Sequence, residues 1–108
     1  MAAAQAVTQG GRSAFALTRL PGHHPALRTA LQAVSDFGAQ ALVVPMGLDM
    51  FEGDPISGFT LRSADYFAVG AALAGIGLPT VFTFEGGYAV AAVGINAVNL
   101  LEGFEQAA

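Results

Sequence analysis

Apolar residues recur along this chain in two rhythms, and their alternation lays out its elements. Leu27, Ala30, Leu31, Val34 and Phe37 return at helical spacing between Pro25, suited to a first helical turn, and Gly38, suited to the position past a helix end. Residues 41–46, ALVVPM, are instead continuously apolar and of strand length, the pattern of a parallel strand covered on both faces, with Pro45 near its end. Tyr66, Val69, Leu73 and Ile76 form a second helical stripe, opened by Ser63 as a capping hydroxyl and Asp65 in the first turn. Residues 80–84, TVFTF, read as a third strand, and a last helix over 90–104 turns Val93, Ala97, Leu101 and Phe104 inward. Ahead of all these, Ala-rich residues 2–9 favour a helix by propensity and Gly10-Gly11 stop it. Residues 13–18, SAFALT, then fit a short buried strand.

The order αβαβαβα predicts an α/β fold, three-layer αβα with a short parallel sheet, in one domain of 108 residues. Residues 66–84 carry no charge and approach bilayer-spanning length, which leaves a membrane hairpin open. Gly75, Gly77 and Pro79 break that run into a helix end and a new strand, so no membrane span is expected. Polar residues collect after the strands. His23 and His24 follow the first, Asp49 with Glu52 and Asp54 the second, and Glu85 with Tyr88 the third. In open α/β sheets that C-terminal edge is where ligands bind.

Composition narrows the chemistry. The chain is 54% apolar and 11% charged, so much of its surface must be apolar or covered. A net charge of -4 without a single lysine gives no basic patch, and nucleic acid is not an expected partner. With no cysteine, any metal must use histidine and carboxylate ligands. The opening MAAAQAVTQGGR lacks a basic stretch ahead of its apolar residues, so a secretory leader is not expected and a cytoplasmic location is the default. Taken singly, each loop has an ordinary explanation. Adjacent histidines are commonly exposed polar residues, Asp49 and Asp54 could accept nearby backbone N–H groups, Gly86-Gly87 is a tight turn, and Tyr88 packs its ring with its hydroxyl in water.

The three loops together resemble one family. AFALTRLPGHHP is similar to a strand ending in Arg-Pro-Pro-Gly-His-His, ALVVPMGLDMFEGDPISGF to one ending in Gly-x-Asp with Asp-Pro beyond, and PTVFTFEGGYAV to a Gly-Gly-Tyr strand. These belong to the zinc-dependent deacetylases that include histone deacetylases and acetylpolyamine amidohydrolases, the bacterial members above all. The resemblance implies a partial arginase/deacetylase-like fold and zinc-dependent hydrolysis of an N-acetyl amide, in an acetylated small amine or an acetyl-lysine. It makes His23 and His24 the tandem acid-base pair, Asp49 a zinc ligand, Tyr88 the oxyanion donor, and Gly86 and Gly87 residues of the substrate tunnel. Asp54 and Glu85 are further loop candidates.

The same resemblance exposes a departure. In the family a long middle section follows the His-His loop and carries an Asp-x-His with two of the three zinc ligands. Here His24 runs straight into Pro25-Ala26-Leu27, and no Asp-x-His exists, since His23 and His24 are the only histidines. Residues 1–24 and 26–108 match separated parts of the family, as a single, internally deleted domain. A homo-oligomer cannot restore the ligands, because every copy lacks them. Three expectations follow. The chain is a deacetylase homologue impaired in catalysis and zinc binding, or a minimal amidohydrolase with a metal site rebuilt from His23, His24 and Asp49, or a non-catalytic module that self-associates or aggregates through a bare strand edge. The implied strand order is one, three, two, with the Gly-Gly-Tyr strand central and the Asp49 strand left with an open edge.

Overall fold

The computed structural model describes the backbone of residues 3–8, 11–16 and 25–108, with side chains from residue 27 onward. Strands β1, Ala3–Thr8, and β2, Gly11–Ala16, pair antiparallel from Ala3↔Ala16 to Thr8↔Gly11. The helix expected over 2–9 is therefore a strand. Six Ala-rich residues are too few to hold a helix on propensity, and β2 offers them a ladder of backbone partners. Strand β2 begins two residues earlier than expected, and residues 17 and 18 of the expected strand lie outside the described residues.

Helix α1, Pro25–Phe37, buries Leu27, Ala30 and Val34 as their spacing predicts, while Phe37 in its last turn stays exposed. Strands β3, Leu42–Gly47, and β4, Thr80–Glu85, pair parallel in register from Leu42↔Thr80 to Gly47↔Glu85, which is the short parallel sheet expected. The expected strand order is corrected. The partner of β2 is β1, and among the described residues β4 pairs only with β3. Strand β1 lies beside β3 without a ladder to it, so the edge of β3 expected to be open has a neighbour. Nor is β3 covered on both faces. Leu42, Val44 and Met46 are buried, whereas Val43 is 53% exposed and its register partner Val81 58%. Side chains alternate across a strand, and the core gathers on one side of this sheet.

That core joins Leu27 and Val34 of α1 and alternate residues of β3 to Met50 and Leu61 of the connection after it. Tyr66, Val69 and Leu73 of helix α2, Ser63–Ala74, and Leu100 of helix α3, Val90–Ala107, complete it. Phe82 reaches it from β4 and meets Phe104 edge-on, with ring centres 5.3 Å apart and planes at 87°. Ser63 is the first residue of α2 rather than its cap. Arg62 holds the cap position, and its N–H donates to Asp65 Oδ2 at 2.7 Å. No helix among the described residues is long and apolar enough to cross a membrane. The uncharged run 66–84 is divided between α2 and β4 by a turn in which Gly77 has φ +75°.

Helices α2 and α3 cross at two glycines. A Cβ on Gly70 would overlap the Leu100 carbonyl oxygen, and one on Gly103 the Phe67 carbonyl oxygen, so the two backbones touch there. This contact corrects the expected face of α3. Asn96, Leu100 and Gly103 are the buried residues, Val93, Ala97 and Phe104 are half-buried, and Leu101 is exposed. Close approach at a glycine, not the widest apolar side chain, sets which face turns in. Asn96 is completely buried, and neither its Oδ1 nor its Nδ2 has a hydrogen-bond partner among the described residues. Asn96→Leu is therefore expected to raise stability by about 1–2 kcal/mol, since it removes an unmet desolvation cost. Urea denaturation measures this, and a loss of stability would mean that the amide is satisfied by an internal water.

Candidate functional site

Parallel pairing of β3 and β4 brings their C-terminal ends to one edge, with Gly47 opposite Glu85. A single turn of 3-10 helix, Leu48–Met50, follows β3 and carries Asp49, which is half-buried. After β4, Gly86, Gly87 and Tyr88 lead into α3. Gly86 and Gly87 have φ of +67° and +105°, the region that L side chains avoid. Space is closed there as well. A Cβ on Gly86 would stand 2.8 Å from Cγ and Oδ2 of Asp49, and one on Gly87 2.8 Å from Cβ of Leu48. The two loops thus meet, with the backbone of the Gly-Gly turn against the Asp49 carboxylate.

Asp54 ties them a second time. Its Oδ1 accepts the N–H groups of Ile56 at 2.9 Å and Ser57 at 3.0 Å, which is the local loop role expected of an aspartate. Its Oδ2 accepts the N–H of Tyr88 at 2.9 Å, across 34 residues of sequence. Burial alone would raise the pKa of this carboxyl, but backbone N–H groups of Tyr88, Ile56, Ser57 and Ala89 outweigh it and hold the pKa below the ordinary carboxylate range. A carboxylate favoured in its charged form adds stability above its ordinary pKa, and that contribution is lost as pH falls through the acid range.

Tyr66 sits beneath the same edge. It is completely buried, and its hydroxyl donates to the Gly47 carbonyl at 3.3 Å. Burial first, then the charge of Asp49 and last that of Asp54, push its phenol far above the ordinary tyrosine range, against an opposing contribution from the Met50 backbone. Sequence spacing placed Tyr66 in the apolar stripe and passed over this hydroxyl. The signal was there, because a tyrosine among Val and Leu needs a polar partner.

The structure therefore brings Asp49 and Gly86 into contact, sets Gly87 against Leu48 and Val93, and joins Asp54 to the Tyr88 backbone. The Tyr88 side chain is about half exposed at the rim, and Glu85 is exposed beside it. His23 and His24 lie outside the described residues. Among the described residues no group of three or more His, Cys, Asp or Glu side chains could hold a metal ion. A catalytic zinc takes three protein ligands, and the described part of the edge supplies one of the implied set, Asp49, while both Asp54 oxygens are engaged by backbone N–H groups. These residues by themselves do not fit a catalytic zinc.

Comparison with known proteins places this edge in a family. The histone deacetylase domain model matches residues 26–104. Acetylpolyamine amidohydrolase 2 of Pseudomonas aeruginosa is 51% identical over 80 residues, which cover 74% of this chain and 23% of that protein. Acetylpolyamine amidohydrolase of Mycoplana ramosa is 46% identical over 78 residues, 72% of this chain and 23% of that one. The crystal structure of acetylpolyamine aminohydrolase from Burkholderia pseudomallei matches with a TM-score of 0.73 at 29% identity, over 76% of this chain and 24% of that one. The chain spans about a quarter of the length of the curated relatives it matches.

Proposed function

Because the chain belongs to the histone deacetylase domain family, we propose that it carries one wall of an amide-hydrolysing site that takes an acetylated amine, and that this wall alone does not turn substrate over. The observation behind this reading is the contact of Gly86 in the Gly-Gly turn with the Asp49 carboxylate, which sets the loops after β3 and β4 side by side. In this reading Asp49 is the carboxylate that faces the metal, and the Tyr88 hydroxyl donates to the oxyanion that forms at the acetamide carbonyl. Gly86 and Gly87, without side chains, let backbone come close at the substrate tunnel, and His23 and His24 are the acid-base pair. The family is zinc-dependent. With one carboxylate of the ligand set in hand, no hydrolytic step is assigned to this chain. Acetate release from an N-acetylated diamine and from an acetyl-lysine peptide, with zinc supplied, is the test. No release above background is expected, and turnover that disappears in Tyr88→Phe would overturn the proposal.

A second reading rests on a different observation. Val43 and Val81 on the open face of the sheet, and Val90, Ile95 and Val98 on α3, are all more than half exposed. Such a surface favours self-association. Sedimentation equilibrium is expected to give a mass above the monomer that falls in the double variant Val81→Lys, Ile95→Lys. A monomer at all concentrations would contradict it.

A further inference from the structure

The turn that carries Tyr88 has little of its own to hold it. Gly86 and Gly87 are adjacent residues at positive φ with no side chain to fix the backbone, and Tyr88 follows them ahead of α3. Helix α3 begins without a side-chain cap and without an acidic residue in its first turn, so nothing at its own start holds the turn before it. The Tyr88 N–H, two residues ahead of the helix, finds its acceptor in Asp54 of the loop after β3. We propose that Asp54 is a positioning residue for Tyr88: one carboxylate oxygen is anchored by Ile56 and Ser57 of its own loop, and the other holds the Tyr88 N–H and so fixes that side chain relative to Asp49.

Anchoring explains why an aspartate is suited to this place. Oδ1 is held by two donors at 2.9 and 3.0 Å, so the carboxylate plane is set before Oδ2 meets Tyr88. The Asp54 N–H in turn donates to the Phe51 carbonyl at 3.0 Å, and the adjoining Glu52 N–H donates to Leu61 at 2.7 Å, tying the loop to the core. Asp54 itself is buried although its neighbours Gly53 and Pro55 are exposed. Asp49 lies five residues earlier in this loop, so a single short segment carries both the carboxylate that meets Gly86 and the one that holds Tyr88. An asparagine in its place would keep one acceptor oxygen and turn an N–H₂ group toward a donor.

The catalytic meaning of this clamp rests on the amide-hydrolase reading, but its test does not depend on zinc or turnover. Amide hydrogen exchange in the wild-type chain reads it directly. The Tyr88 N–H, outside any helix or strand ladder, is expected to exchange roughly tenfold or more slowly than in a free peptide, and Asp54→Asn to remove that protection while the amides of Val69 and Leu73 keep theirs. The chain has two tyrosines. In 3-fluorotyrosine-labelled protein, the Tyr88 ¹⁹F line is expected to move toward the free amino acid in Asp54→Asn, and the line of buried Tyr66 to stay dispersed. A Tyr88 amide that exchanges freely in the wild type, or a Tyr88 line unchanged in the variant, would overturn the proposal, whether or not the chain binds zinc.

Discussion

Gly103→Val is expected to lower stability by about 3 kcal/mol, the upper end of ordinary overpacking, and the melting temperature by about 10 °C or more. The added Cβ would meet the backbone carbonyl of Phe67, which belongs to α2 and cannot rotate aside as a side chain could. Gly70→Val carries the same expectation from the other helix, against the Leu100 carbonyl. Gly94 gives the control. It lies on α3 with nothing within 4 Å of its would-be Cβ, so Gly94→Ala should gain roughly 0.5–1 kcal/mol through helix propensity. Opposite signs for two glycines of one helix, read in parallel thermal melts, would establish the close crossing. Equal effects would contradict it.

Tyr66→Ala is expected to cost about 3–5 kcal/mol, because it empties the volume of a completely buried aromatic side chain in the middle of the core. Tyr66→Phe keeps the ring and should cost only about 1 kcal/mol for the bond to Gly47. The two variants also separate a pH effect. Folding holds the Tyr66 hydroxyl protonated well beyond its ordinary range. Its contribution is fully present below about pH 10, where the unfolded phenol is also neutral, and is lost as pH rises toward the folded pKa. Denaturation midpoints in alkaline buffers should fall for the wild type, and this part of the fall should be absent in Tyr66→Phe. A Phe variant with the same alkaline slope would show that the hydroxyl is solvated.

The middle of the chain was legible because local pattern and tertiary burial agree there. The stripe Tyr66, Val69, Leu73, the run around Val44 and the Gly77-Pro79 break all mark the elements that form. Disagreement begins where a weak local preference meets a strong partner. Ala-rich residues 3–8 pair with 11–16 because a ladder outweighs alanine propensity over so short a segment. Helix α3 turns Asn96 and Gly103 inward because contact with α2 is made by backbone, which hydrophobic spacing does not weigh. At the site, the meeting of Asp49 with Gly86 was legible from parallel strands ending at one edge. The Asp54 bond to Tyr88 was not, since its donor is a backbone N–H and a sequence pattern displays side chains alone. The family resemblance supplied the expected roles of these loops, which the structure does not test, and the match over residues 26–104 bears out the family.

Zinc stoichiometry tests the central claim most directly. The purified chain is dialysed against buffered free zinc at neutral pH, and bound metal is counted beside the Asp49→Ala variant. A wall that offers one carboxylate of a three-ligand set predicts no stoichiometric zinc in either protein. About one zinc per chain, lost in Asp49→Ala, would contradict the account and return the amide hydrolysis to this chain alone.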